Sequence, residues 1–181
     1  MKEMVKEMNK SIKKMCINAM GIALFVVFSF GLQVPVFENY YLCLGYVAMT
    51  VFCYHFGPIS GMTVGFGGVV LYCLLISGLN GMPGWALGNL FIGFIVGLTC
   101  KITAKMKRQK LRHFIIGASI ISSVAVGMIV IKSIVETLLY AQPIILRIAK
   151  NLYAFVADAI VMLISLPICV SLKKVVPKYF E

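Results

Sequence analysis

The chain has 181 residues, 61% hydrophobic and 13% charged, with a net charge of +11 and a mean hydropathy of +0.97. Soluble domains carry about 25% charged residues, so a water-soluble globule is excluded. The apolar runs are continuous rather than alternating, which favours membrane-spanning helices over barrel strands.

Residues 1–14 place Met1, Met4, Val5, Met8 and Ile12 at helical spacing with lysines on the other face, the pattern of an amphipathic helix lying at the membrane interface. Each lysine there adds about 1 kcal/mol of attraction to an anionic leaflet; a frayed polar tail is the plain alternative. The apolar run that follows exceeds a signal-peptide core and lacks a cleavage site, so it is expected to stay as a first span over 15–32. Pro35 and Glu38 break the pattern in a loop over 33–40. Residues 39–100 contain no Asp, Glu, Lys or Arg and are cut only at 55–58 and 77–84. The pieces predict a short second helix over 41–54, a third over 58–76 and a fourth over 83–101. A fifth is expected over 113–137 and a sixth over 149–172, kinked at Pro167, before a basic tail over 173–181. The transmembrane domain is therefore 15–172.

Fourteen of the 17 basic residues fall in three clusters: residues 2–14, 101–112 and 173–178. Six spans put all three on one side, which the positive-inside rule makes the cytoplasm. The expected architecture is an all-α integral membrane protein of six transmembrane helices with both termini cytoplasmic, in a bacterial plasma membrane. Clusters that flank spans report topology, and no nucleic-acid partner is expected. Gly57, Gly61 and Gly65 on the third helix, and Gly84, Gly88, Gly93 and Gly97 on the fourth, have the small-xxx-small spacing of closely packed membrane helices. The six cysteines lie in or at the ends of apolar runs and read as small buried hydrophobes, not disulfides or metal ligands.

Ionisable residues within spans are functional candidates. Lys132 and Glu136 are one turn apart and able to neutralise each other. Asp158 lies on the last helix and shares a face with Asn151 and Phe155. Either these residues lock the last two helices together, or they line a polar pocket that opens outward. Trp85, the only tryptophan, is an interfacial anchor or a stacking platform for a flat ligand, with Asn89 one turn deeper on the same face. Tyr40, Tyr41 and Tyr140 lie at similar heights. The candidate pocket is Trp85, Asn89, Lys132, Glu136, Asn151 and Asp158, under a lid of Pro35, Glu38 and Tyr40.

The order of motifs resembles that of the S components of energy-coupling factor (ECF) transporters, over almost the whole chain. The run Ala19-Met20-Gly21-Ile22-Ala23 is similar to that family's AxxxA motif. Leu44-Gly45, then His55-Phe56-Gly57-Pro58-Ile59-Ser60-Gly61 and a glycine-rich helix, are similar to its LGD…LFGPxxG pattern. Leu166-Pro167 and Ser171-Leu172-Lys173-Lys174 resemble its final helix. Tyr46 stands where many relatives are acidic, so ligand contacts do not transfer directly. The resemblance implies a subunit that captures a vitamin-like small molecule from outside. It would dock through Ala19 and Ala23 onto a membrane coupling subunit and be driven by two cytoplasmic ATPases, toppling in the bilayer to release its ligand.

No HExxH, GxSxG, Walker A or paired-carboxylate motif occurs. Neither a catalytic site, an ATP site, a cofactor nor a metal is expected. Two other readings stand beside the transporter subunit: a multispan membrane scaffold without a small-molecule substrate, and a small membrane enzyme. His55 and His113 fall on the opposite side from the acidic residues, which argues against the enzyme.

Overall fold

With neither Gly nor Pro in residues 2–20, nothing interrupts the first helix between its charged and apolar halves. The structure, a computed structural model, describes residues 2–31, 34–37, 40–78, 82–141, 143–173 and 176, and the side chains of all these except 2–7, 10, 34–37, 40–42, 76 and 77. Helix α1 runs unbroken over Lys2–Gly31, about 45 Å at 1.5 Å per residue. The amphipathic segment and the first span are therefore one rod rather than two elements. Its buried positions, Gly21, Phe25 and Ser29, recur every fourth residue and face the bundle, while Ala19 and Ala23 are exposed.

The predicted loop over 33–40 contains an antiparallel hairpin, β1 (Val34–Phe37) with β2 (Tyr40–Leu42), Val34 opposite Leu42 and Pro35 opposite Tyr41. Pro35 and Tyr40 thus lie on its strands, and Glu38 falls outside the described residues. The bundle is helical as expected, and this short hairpin is its one addition among the described residues. Helix α2 (Gly45–Phe56) has only 12 residues, about 18 Å long. Helix α3 (Pro58–Tyr72) continues as a π-helical turn over Cys73–Ser77, and α4 covers Met82–Thr103. Helix α5 (Gln109–Val124) leads through a π-helical stretch, Ala125–Lys132, into α6 (Ser133–Tyr140). The last helix, α7, is Ile144–Leu172 with Pro167 inside it. It begins five residues earlier than its sequence pattern suggests.

Among the described residues, five helical segments are long and apolar enough to cross a membrane: Ser11–Gly31, Pro58–Leu75, Met82–Thr103, Gln109–Tyr140 and Ile144–Leu172. Helix α2 is too short to join them on length alone. Apolar side chains nonetheless cover the outside of the bundle, with Phe114, Leu138 and Ile145 at least 75% exposed, as a lipid-facing surface requires.

The core forms where small residues let backbones meet. A Cβ on Gly61 would lie 2.7 Å from the carbonyl oxygen of Gly93, and one on Gly88 would lie 2.7 Å from that of Gly127. Such crossings tolerate nothing larger than glycine. They clamp α3 to α4, and α4 to the π-helical stretch. Five of the six cysteines are buried, and all are free. Cys16 is the exception to the expected burial, because it sits on the outward flank of α1 beside exposed Met15 and Ala19.

Candidate functional site

Tyr46 is fully buried in the first turn of α2, its ring edge-on to Phe25 of α1 at 5.9 Å. A phenol in such a place needs a partner for its hydroxyl, and it finds several. Trp85 Nε1, at the start of α4, donates to the Tyr46 oxygen at 3.0 Å. The Asn89 amide and the Asp158 carboxylate, from α4 and α7, are the other neighbours of that hydroxyl. Trp85 is half-buried and meets Tyr72 of α3 edge-on at 5.8 Å. Five helices thus converge on one aromatic and polar cluster. Asn89 is fully buried; its Nδ2 donates to the Trp85 carbonyl at 3.0 Å, and its Oδ1 has no partner among the described residues.

A second polar group adjoins the first. Glu136 of α6 is 3% exposed and pairs with Arg147 of α7 at 3.3 Å. Asn151, 1% exposed, donates to Ser133 Oγ at 2.9 Å and to Glu136 Oε2 at 3.5 Å. Arg147 also lies over the Tyr140 ring at 5.7 Å. The acid therefore pairs across the turn into α7, not with Lys132 one turn below it, as the i,i+4 spacing suggested. Lys132 stands between the two groups, close enough to feel the charges of both Glu136 and Asp158. Helix α4 passes tightly beside them: a Cβ on Gly84 would be 3.0 Å from the Lys132 carbonyl oxygen and 3.1 Å from Glu136 Cγ.

All six pocket residues expected from the sequence thus gather at one end of the bundle, in two adjoining sets. Trp85, Asn89 and Asp158 surround Tyr46, while Glu136 and Asn151 belong to the α6–α7 ion-pair network. Strand β2 packs against α7, the helix that carries Asp158. Sequence reasoning missed Tyr46, Tyr72 and Arg147 as members. The one available signal was that Tyr46 replaces an acidic residue at a motif position. His55 lies at the other end of the bundle, with its Nε2 3.1 Å from the Cys169 carbonyl oxygen. No group of three or more His, Cys, Asp or Glu placed to hold a metal ion occurs among the described residues.

Comparison with known proteins adds to this geometry. A UPF0397 protein of Streptococcus thermophilus is 32% identical over 90 residues, 50% of this chain and 49% of that protein. A UPF0397 protein of Lactococcus lactis subsp. cremoris is 31% identical over 112 residues, 60% and 57% respectively. The chain spans about half the length of these curated relatives. The crystal structure of the S-component for biotin from an ECF-type ABC transporter shares the fold, with a TM-score of 0.66, 17% identity, and coverage of 92% of this chain and 93% of that one. The family model for the S component of the ECF-type riboflavin transporter matches residues 9–174. With nearly the whole chain matched, a shared S-component fold and a bundle of membrane-length helices, this protein belongs to the ECF-type riboflavin transporter S-component family.

Proposed function

We propose that this chain captures a flat, heterocyclic vitamin at the Tyr46–Trp85–Asn89–Asp158 cluster and hands it to an ATP-driven ECF module. The observation that carries this reading is the buried Asn89, whose Oδ1 faces no donor among the described residues. An orphaned buried amide costs about 1–3 kcal/mol, and a ligand ring N–H would remove that cost. The imide edge of riboflavin and the ureido edge of biotin both offer such a donor beside an acceptor. The family model, described as the S component of an ECF-type riboflavin transporter, makes riboflavin the first ligand to test; the biotin S component with the same fold makes biotin the second. Trp85 and Tyr72 supply aromatic faces for a heterocycle, and Lys132 and Asp158 supply charges of both signs.

Glu136 and Asn151 act differently in this reading. Their hydrogen bonds are satisfied by Arg147 and Ser133, so they fasten α6 to α7 rather than contact ligand. The β1–β2 hairpin, packed on α7, serves as the lid, with Pro35 and Tyr40 on its strands and Glu38 between them.

The ligand end faces outward and the basic end faces the cytosol. Lys14, Lys101, Arg112 and Lys173 line one cavity at the far end of the bundle, which supports placing the three basic clusters on one side. Helix α2 then makes a short sixth crossing within the bundle, its Tyr46 end by the ligand and its His55 end by that cavity. Ala19 and Ala23, exposed and small on α1, are the docking face for the membrane coupling subunit, and two ATPases complete the importer.

Native mass spectrometry of protein purified from vitamin-supplemented cells tests the capture role. A retained vitamin at one per chain, lost in Asn89→Ala, is expected. Protein that stays ligand-free and takes up neither vitamin in solution rejects it.

A further inference from the structure

A cavity of about 480 Å³ lies at the end of the bundle opposite Tyr46. The α2–α3 turn and the ends of α1, α4, α5 and α7 converge on it. Four of its lining residues carry fixed positive charge, and no acid lines it among the described residues. Three of these, Lys14, Lys101 and Lys173, are exposed at its mouth.

The fourth, Arg112, differs in kind. It is 4% exposed, its guanidinium lies over the Tyr54 ring at 4.7 Å, and its Nε has no hydrogen-bond partner among the described residues. A buried guanidinium held by an aromatic face, with a donor unspent, is built to receive an oxyanion. Asn18 also lines the cavity, and its Oδ1 likewise lacks a partner among the described residues, so the lining offers an acceptor for a hydroxyl as well.

The rim supplies the rest of the chemistry. Met15 and Ile59 line the same cavity and are 71% and 74% exposed, on the outer surface of the bundle. A cationic mouth with one buried guanidinium behind it, opening beside exposed apolar side chains, matches an amphiphile, with its phosphate among the cations and its acyl chains along α1 and α3.

We infer that this cavity binds the headgroup of an anionic phospholipid, with the phosphate on Arg112 and a headgroup hydroxyl on Asn18. Basic pockets between membrane helices on the cytoplasmic side are suited to such headgroups. The site is separate from the vitamin site and does not depend on which vitamin is carried.

The test is lipid retention by the full chain in native mass spectrometry, with phosphatidylglycerol, phosphatidylcholine or inorganic phosphate as the added probe. Wild type should keep one phosphatidylglycerol in preference to phosphatidylcholine. Arg112→Gln should lose about tenfold or more of that preference, the effect of one charge-assisted hydrogen bond, and Arg112→Lys should recover part of it. Lys101→Gln, at an exposed position that does not challenge folding, should lower the preference in the same direction. Equal retention of the two lipids, or an unchanged preference in Lys101→Gln and in folded Arg112→Gln, overturns the inference. Inorganic phosphate that displaces phosphatidylglycerol at equal concentration overturns the lipid assignment and makes the site one for free phosphate.

Discussion

Tyr46→Phe removes a single oxygen and leaves the ring against Phe25. That oxygen accepts from Trp85 and neighbours both Asn89 and Asp158. Its loss should cost about 1 kcal/mol in thermal unfolding and weaken ligand binding by roughly tenfold, because Trp85 and Asn89 lose their common anchor. Glu136→Ala should behave in the opposite way. It strips Arg147 and Asn151 of a buried acceptor, so stability should fall by about 3 kcal/mol, while protein that remains folded binds ligand normally. Intact stability with lost binding would move Glu136 into the ligand site. The Trp85–Asn89 pair was legible in the sequence because residues four apart on a helix are neighbours whatever surrounds them. The Glu136–Arg147 pair was not, because Lys132 offered a local partner and the true one lies beyond the turn into α7. Tyr46 was hidden by its setting, one aromatic in a long apolar run whose hydroxyl gains meaning only when α4 and α7 arrive.

Among the elements, the α3–α4 crossing should be the least tolerant of change. At Gly93 any Cβ would fall on the backbone of Gly61 and Met62, so Gly93→Leu must separate the two helices. Loss of most of the cooperative thermal transition, or of extractable folded protein, is expected; a wild-type melting temperature would show that the helices do not meet there. The glycine spacing made this crossing readable from the sequence. The hairpin was less so, since strands of four and three residues lack the length for a recognisable alternation. The continuity of α1 was also missed, because a change from charged to apolar composition reads as a boundary although the backbone has no reason to break. On that helix, Ala19→Leu with Ala23→Leu should reduce uptake in cells at least tenfold by blocking close approach of a partner helix. Purified protein should bind its vitamin as before; equal loss of both would make the alanines part of the ligand site or the fold.

At the scale of the whole molecule, charge placement carried the most information. Fourteen basic residues in three clusters suggested which helix ends lie together, and one cavity is lined by members of all three, Lys14, Lys101, Arg112 and Lys173. Span counting was weaker, because α2 has 12 residues and returns the chain across the bundle without the length of a free-standing transmembrane helix. The molecule is thereby polarised, with an aromatic and acidic cluster at one end and a cationic cavity at the other. Trp85 is the sole tryptophan and sits within that cluster, so its emission reports on the site without labels. Titration of the purified protein with riboflavin, and in parallel with biotin, should quench or shift that emission saturably at one ligand per chain for one of the two, with the response weakened in Tyr46→Phe. A linear, unsaturable response to both vitamins, the same in wild type and variant, would rule out vitamin capture at this cluster.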